Sequence, residues 1–480
     1  MNEADDSQLD ILKEEQRPFE EAEAALVRSV VSTAPWLPEK DEEALRYALN
    51  LARVGRVRVA GGEDLDLAPA LLPFREEVRA ALPALTGSGR LDRGATLRFA
   101  AQLMPRALEF RARALSAGQG RLSSAALDRE VCQKELVLVC GGGGGVAWGY
   151  LGAFELLERY ALPPRLLAGT SMGAALALFR ARRLRWRAED VEPVLSQLSF
   201  RTLFRYLQGE SRYGLPAALR LYLRAVIGEY LRGPDGHPFT LGELAIPLIV
   251  SVTGIRSGAL PRDPSYYEHL LDLPEQEERA SAVSRVAGEV FQAVGELIAQ
   301  RDRFARIYLG LEEATRHFDA IDAVGFSSAL PGVIHYDVLR DDERMRALLD
   351  DLFRREDLFR LVDGGLVDNL PARAAWGAVQ RGWLGSRNAF VLALEGFGPK
   401  LSQPLWYGLQ QLAAGNVAWN RPFIHLHKSL QRVLSPADIV PDREDLARAV
   451  NDGKAELHPD LPFLAHMVRP FPAPAPLHGY

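Results

Sequence analysis

Cysteine is nearly missing from this chain: Cys132 and Cys140 are its only two among 480 residues. That excludes a disulfide framework, and the two flank an apolar run of strand length that would hold them apart, so a reducing compartment is expected. Long hydrophobic runs are missing too. No stretch approaches the roughly 20 apolar residues of a membrane span, and the acidic segment Met1 to Gln16 has no apolar signal-peptide core. A cytoplasmic chain without a signal peptide is therefore expected. Neither sign of charge dominates: 57 Lys and Arg stand against 63 Asp and Glu, a net charge of −6, with the signs mixed along the chain. Nucleic acid is not an expected partner. No internal repeat is visible. Arginine far outnumbers lysine, and Ala and Leu are abundant, which points to a GC-rich bacterial source.

What is present is a large core and a concentration of glycine. At 48% apolar the chain can bury two or three structural units. Leu136 to Cys140 reads as a strand and ends directly in five glycines, Gly141 to Gly145, which free the backbone to turn and aim successive N–H groups at one point. Alone, such a run reads equally well as a flexible linker. A helical stretch follows, about Trp148 to Tyr160, then a short strand, Arg165 to Ala168. That strand delivers Gly169-Thr170-Ser171-Met172-Gly173, a G-x-S-x-G turn, and a second helix, Met172 to Arg183. This is the order a parallel βαβα unit requires, and it sets Ser171 at a strand-to-helix turn, where the helix N-terminus favours developing negative charge.

Far downstream, Leu361-Val362-Asp363-Gly364-Gly365-Leu366-Val367-Asp368-Asn369-Leu370-Pro371 leads an apolar strand end into Asp363. By itself Asp363 is a turn residue before a glycine pair. Beside a serine elbow it becomes a candidate base. A helix, about Ala372 to Gln380, and a strand, Ala389 to Leu394, follow.

Together these segments resemble the patatin-like phospholipases, acyl hydrolases with a Ser-Asp dyad. The resemblance covers about Lys134 to Lys400. It implies a three-layer α/β domain with a central, mainly parallel sheet, Ser171 and Asp363 as the catalytic pair, and Gly142, Gly143, Gly144 and Met172 around an oxyanion hole. Gly169, Gly173, Gly364 and Gly365 support the two motifs. Phe326 to Val333 is similar to the small-residue and proline segment before the family's aspartate, and Pro247 to Val252 to an internal strand. One departure stands out: Val146 and Ala147 occupy positions where the family has a basic residue and a glycine.

These residues would perform acyl transfer without a metal or cofactor, on a lipid ester, with contact at a membrane surface. Phospholipid or lysophospholipid is the substrate class the resemblance implies. A neutral acylglycerol is the enzyme alternative, and a lipid-binding scaffold without turnover the non-enzymatic one. A Ser-His-Asp triad stays open in chain order through His425 or His427. By contrast, His237 and His458 fall in polar, proline-bearing segments and read as surface residues.

Outside this block, residues 1–133 read as a helical N-terminal extension, either packed on the catalytic domain at 134–400 or serving a partner. Glu42 to Val54 is one helix, and Ala95 to Ala117 another that Pro105 should kink or divide. Gly61-Gly62 and Gly87-Ser88-Gly89 mark breaks. Helical insertions are expected at Val283 to Ile298 and at Leu219 to Tyr230. The second, with Arg220, Arg224 and Arg232, is a basic amphipathic stretch suited to a core or to an anionic membrane. Arg180, Arg182, Arg183, Arg185 and Arg187 read as a solvated helix end. Residues 401–480, with Trp406, Trp419 and the proline-rich stretch Pro470 to Pro476, read as a C-terminal extension ending in an irregular tail.

Overall fold

The computed structural model describes residues 3–32, 36–86, 91–206, 211–256, 304–396, 417–430 and 434–474. The expected helix at Val283 to Ile298, the break at Gly87-Ser88-Gly89, Trp406 and Pro476 lie outside them. The chain divides into two compact units. The described residues within 137–375 and 391–458 form an α/β unit, and those within 2–136, 376–390 and 459–480 a helical one. The boundaries read from sequence at 133 and 400 thus run differently in space. The described residues of the C-terminal stretch are not a separate extension: 417–430 and 434–458 belong to the α/β unit and 459–474 to the helical unit, where Phe471 joins the core. No helix of the described residues is long and apolar enough to cross a membrane.

The helical unit is built from α1 (Glu3–Ser32), α2 (Glu39–Arg53), α3 (Ala68–Thr86), α4 (Arg93–Ala117) and α5 (Ser124–Cys132). Their apolar faces meet in one core that includes Phe19, Tyr47, Phe74 and Phe110. Asp92 starts α4 by accepting the Ala95 N–H at 2.7 Å, a cap that satisfies one of the orphan donors of the first turn. Pro105 does not divide α4, which runs unbroken through it. Gly61-Gly62, both with positive φ, form the turn of a short hairpin, β1 (Arg56–Arg58) with β2 (Asp64–Asp66). Cys132 ends α5 rather than a strand, and burial pushes its thiol up to about 12. It stays protonated and unreactive.

The α/β unit is a three-layer arrangement around a seven-stranded sheet. Its strands are β3 (Glu135–Cys140), β4 (Leu166–Thr170), β7 (Leu248–Arg256), β8 (Phe304–Leu309), β10 (Leu358–Asp363), β11 (Ala389–Glu395) and β12 (Leu426–Ser429). They lie in the order β10-β7-β4-β3-β11-β12, with β8 also on β7. β3, β4 and β7 are parallel neighbours, whereas β10 runs antiparallel to β7. Strands covered on both faces read as near-continuous apolar runs, and every residue of β3, β4 and β11 is buried, the polar Glu135, Thr170 and Glu395 at strand ends included. The register draws distant segments into one row: Cys140 opposite Gly169, Thr170 opposite Ser251, and Val252 opposite Asp363. That row carries the ends of the glycine strand, the serine strand and the aspartate strand to one edge.

Between β4 and β7 the chain makes a smaller sheet, β5 (Phe204–Tyr206), β6 (Ala217–Leu221) and, from later sequence, β9 (Gly332–His335). This corrects the amphipathic helix expected at Leu219 to Tyr230. The stretch is the end of β6, one helical turn, Leu223–Ile227, and a 3₁₀ turn, Gly228–Leu231. Its apolar spacing suits a helix, but pairing of β6 with two strands supplies backbone partners that a short helix cannot match. Arg224 is not offered to a membrane either. Its guanidinium bonds Asp319 at 2.5 Å and also reaches Asp322 and Asp342. Arg180, too, is buried rather than solvated: it donates to the carbonyls of Arg183 and Leu184 at the C-terminus of the helix Met172–Ala181.

Candidate active site

Ser171 stands between β4 and the helix Met172–Ala181 with φ 54° and ψ −131°, a conformation that non-glycine residues occupy at a cost of order 1–3 kcal/mol. Close packing enforces it. A Cβ on Gly173 would collide with the carbonyls of Cys140 and Gly141, and one on Gly169 would come within 2.7 Å of the Ala174 Cα. The Ser171 N–H donates to Ser327 Oγ at 2.8 Å, and Ser327 in turn donates to the Ser251 carbonyl at 2.7 Å. The turn is therefore pinned to the neighbouring strand through one hydroxyl. Sequence reasoning flagged the segment of Ser327 for small residues but missed this role.

Asp363 ends β10 and is buried, and the Ser171 hydroxyl donates to its carboxylate. Gly365 donates its N–H to Asp363 Oδ1 at 2.7 Å, and the backbone is fixed by Asp363 N–H to the Ala329 carbonyl at 2.9 Å. Both glycines of the motif make room: a Cβ on Gly364 would strike the Ser251 carbonyl, and one on Gly365 would come within 2.9 Å of Asp363 Oδ1. Burial raises the carboxyl to about 6, against the opposing hydrogen bonds from Ser171 and Gly365. A carboxylate at that value is a far better base near neutral pH than an unperturbed one.

The five glycines are packed, not flexible. Gly144 has φ 56°, and a Cβ there would run into Pro436. Gly145 donates to the Pro436 carbonyl at 3.1 Å, and Trp148 Nε1 to that of Ile439 at 3.1 Å. The Gly142 N–H is not an available donor, because it bonds the Asn369 carbonyl at 3.3 Å. Among the described residues, the N–H groups of Gly143, Gly144 and Met172 have no protein acceptor, and they sit where helical turns begin. Val146 and Ala147 are fully packed, so their departure from the expected pattern adds apolar core and no cation.

Five residues past Asp363 lies a second buried carboxylate that sequence reasoning missed. Asp368 accepts from Tyr308 Oη at 2.7 Å, Asn420 Nδ2 at 2.8 Å and the Leu370 N–H at 3.2 Å. Its carbonyl accepts from Thr170 Oγ1 at 3.0 Å. Burial raises it also to about 6. The only sequence signal was a polar pair, Asp368-Asn369, inside an otherwise apolar stretch.

Two adjoining cavities meet at Ser171. One is lined by the glycine loop, Asp363, Gly365 and Asn369. The other is almost wholly hydrocarbon, walled by Met172, Leu176, Phe179, Leu195, Leu223 and Ile227 among others. Among the described residues, no Lys, Arg or His lines either. The histidines in question lie elsewhere: His425 Nδ1 accepts the Val391 N–H at 2.9 Å beside β12, and His427 on β12 pairs with Glu395 at 2.7 Å. The structure thus brings together Ser171, Asp363, Gly143, Gly144 and Met172 and leaves His425 and His427 out. Asp319, Asp322 and Asp342 gather their oxygens closely enough for a cation. Arg224 already bridges all three, and Arg344 pairs with Asp319.

Residues 138–376 match the family model described as patatin-like phospholipase. No curated protein matches the chain.

Proposed function

Because the chain belongs to the patatin-like phospholipases, a family of lipid acyl hydrolases, through its domain at residues 138–376, we propose that it hydrolyses lipid esters through an acyl-enzyme on Ser171. The observation that carries this reading is that Ser171 bonds Asp363 on one side and opens into a hydrocarbon chamber on the other. The acyl chain lies in the chamber. Ser171 Oγ attacks the ester carbonyl carbon while Asp363 takes its proton, and the oxyanion is held by the N–H groups of Gly143, Gly144 and Met172. Collapse expels the alcohol, which leaves with the proton from Asp363. Water then attacks the acyl-enzyme, gives its proton to Asp363, and the fatty acid departs as Ser171 is reprotonated. None of these steps requires a metal.

Phospholipid or lysophospholipid is the substrate class the family implies. A second reading, a neutral acylglycerol, is favoured by the absence of a cation among the described residues lining the two cavities and by Val146 in place of a basic residue, since these residues offer a phosphate head group no charge-assisted contact. Fatty-acid release from mixed phospholipid and acylglycerol vesicles, with calcium chelated, tests both. Loss of release in Ser171→Ala and Asp363→Asn is expected, and the products name the class. Substantial release by pure Ser171→Ala would refute the mechanism. Failure of a fluorophosphonate to label Ser171 would favour a scaffold.

A further inference from the structure

Val191, Val194, Leu195 and Leu198 recur at helical spacing along the short helix Glu192–Gln197 and its two flanks, while Glu192, Pro193, Ser196 and Gln197 are exposed on the other side. All four apolar residues line the hydrocarbon chamber beside Ser171. Three of them, Val191, Leu195 and Leu198, also line an outer cavity of about 460 Å³ in the same α/β unit. A residue that lines two cavities leaves only its own side chain between them. Val191 and Val194 are 3% and 2% exposed, whereas Leu195 is half-buried in the middle of the stripe, with a cavity on each side.

This partition stands away from the nucleophile. The two cavities that meet at Ser171 share Gly144, Ser328, Ile334 and Ile439 besides the serine, and no residue of the stripe. The helix that begins at Ser171 gives the chamber a length: Met172, Ala175, Leu176 and Phe179 line it along one face, and at about 1.5 Å per residue that face spans about 10 Å. An extended hydrocarbon advances about 1.3 Å per carbon–carbon bond of about 1.5 Å, so about eight to ten carbons cover the distance. Each methylene that enters apolar surroundings strengthens binding about fourfold. Carbons that meet a wall add nothing.

Resting on the reading of this chamber as the acyl site, we propose that Leu195 ends it and restricts the substrate to esters of medium-length acyl chains, about eight to ten carbons. The ester carbonyl sits at Ser171 and the methyl end of the chain meets the Leu195 side chain. Beyond it, Leu151, Leu446 and Val450 line the outer cavity beside its carboxylates. Shortening Leu195 therefore joins the chamber to further apolar surface, and enlarging it takes length away.

The test reads chain length twice, in binding and in turnover, on the full-length protein with Leu195 intact and as Leu195→Ala and Leu195→Phe. Straight-chain primary alcohols of about six to about twelve carbons are titrated calorimetrically into the Ser171→Ala form of each, and p-nitrophenyl esters of the same lengths are hydrolysed by the form that keeps Ser171. With Leu195 intact, affinity should rise about fourfold per methylene to about ten carbons and then level, and kcat/KM should peak at the same length. Leu195→Ala should carry the rise about two carbons further, a gain of at least about tenfold for the longer chain, and Leu195→Phe should stop it about two carbons sooner. Opposite shifts from one position cannot come from a loosened fold; where one variant does not fold, the other decides. Affinity that climbs unbroken through about twelve carbons with Leu195 intact, or one profile shared by all three proteins, would overturn the proposal. A length limit in binding without any ester hydrolysis would refute the catalytic reading and leave the limit standing.

Discussion

Asp363 and Asp368 stand at the two ends of one loop, both buried and both raised to about 6 by burial, yet their surroundings differ. Asp363 accepts from Ser171 and from one backbone N–H and faces a cavity. Asp368 has both oxygens occupied by Tyr308, Asn420 and Leu370 and lines neither cavity at Ser171. A perturbed carboxyl alone does not mark a base; a perturbed carboxyl with unused lone pairs and access to the reacting atoms does. Asp368 instead holds the loop that carries Gly365 and Asn369.

The sharpest break in this comparison is activity. Asp363→Asn should lower kcat/KM by about 10³-fold or more in an ester assay, while Asp368→Asn should stay within about tenfold. Equal losses would erase the distinction. Stability should separate the pair next. In the folded protein Asp363 holds its proton more tightly than in the unfolded chain, so its ionised form opposes folding: not below about pH 4, increasingly up to about pH 6, and fully above. A rise from 3.8 to about 6 amounts to about 3 kcal/mol, taken as an upper figure. Denaturant unfolding at pH 8 should therefore find Asp363→Asn more stable than wild type, with the gain vanishing at pH 4. Asp368→Asn should gain less, because an amide cannot accept from both Tyr308 and Asn420.

The pH profile sharpens the same point. kcat/KM should fall about tenfold per pH unit below an apparent pKa near 6, and this limb should survive in Asp368→Asn. Ser327→Ala removes the acceptor that pins the Ser171 N–H and should lower kcat by about tenfold with little change in KM. The smallest effect concerns the lipid surface. Phe200 is 55% exposed and packs beside Phe204, a wall residue of the chamber. Phe200→Ser should weaken liposome binding a few-fold and leave hydrolysis of a soluble short-chain ester unchanged.

The sequence was legible where chemistry and structure are local. The strand, glycine loop, helix, strand and serine turn from Leu136 to Ala181 form one continuous unit with unmistakable punctuation, and Asp363 announces itself by two glycines. What stayed hidden is long-range. Ser327 looks like any small residue until β7 brings the Ser251 carbonyl beside it. Asp368 gains meaning from Tyr308 and Asn420, which sheet register and folding supply. Arg224 sits in a stretch whose spacing suits a helix face, but its partners lie about a hundred residues downstream. The walls of the apolar cavity beside Ser171 come from several short elements, none of which has a period long enough to read.

The glycine loop does not hold its own shape. Its turns are set by carbonyls of Ser435, Pro436 and Asp438, and the helix Arg443–Leu457 presses against the turn that follows, where Gly453 meets the backbone of Gly149 and Gly152 meets that of Val450. The segment that packs on the glycine loop thus follows Ser171 and Asp363 in the chain. A nascent chain would carry Ser171 and Asp363 before the segment that fixes the glycine loop beside them, so on the proposed mechanism the nucleophile and base are made before the oxyanion donors can be held in place.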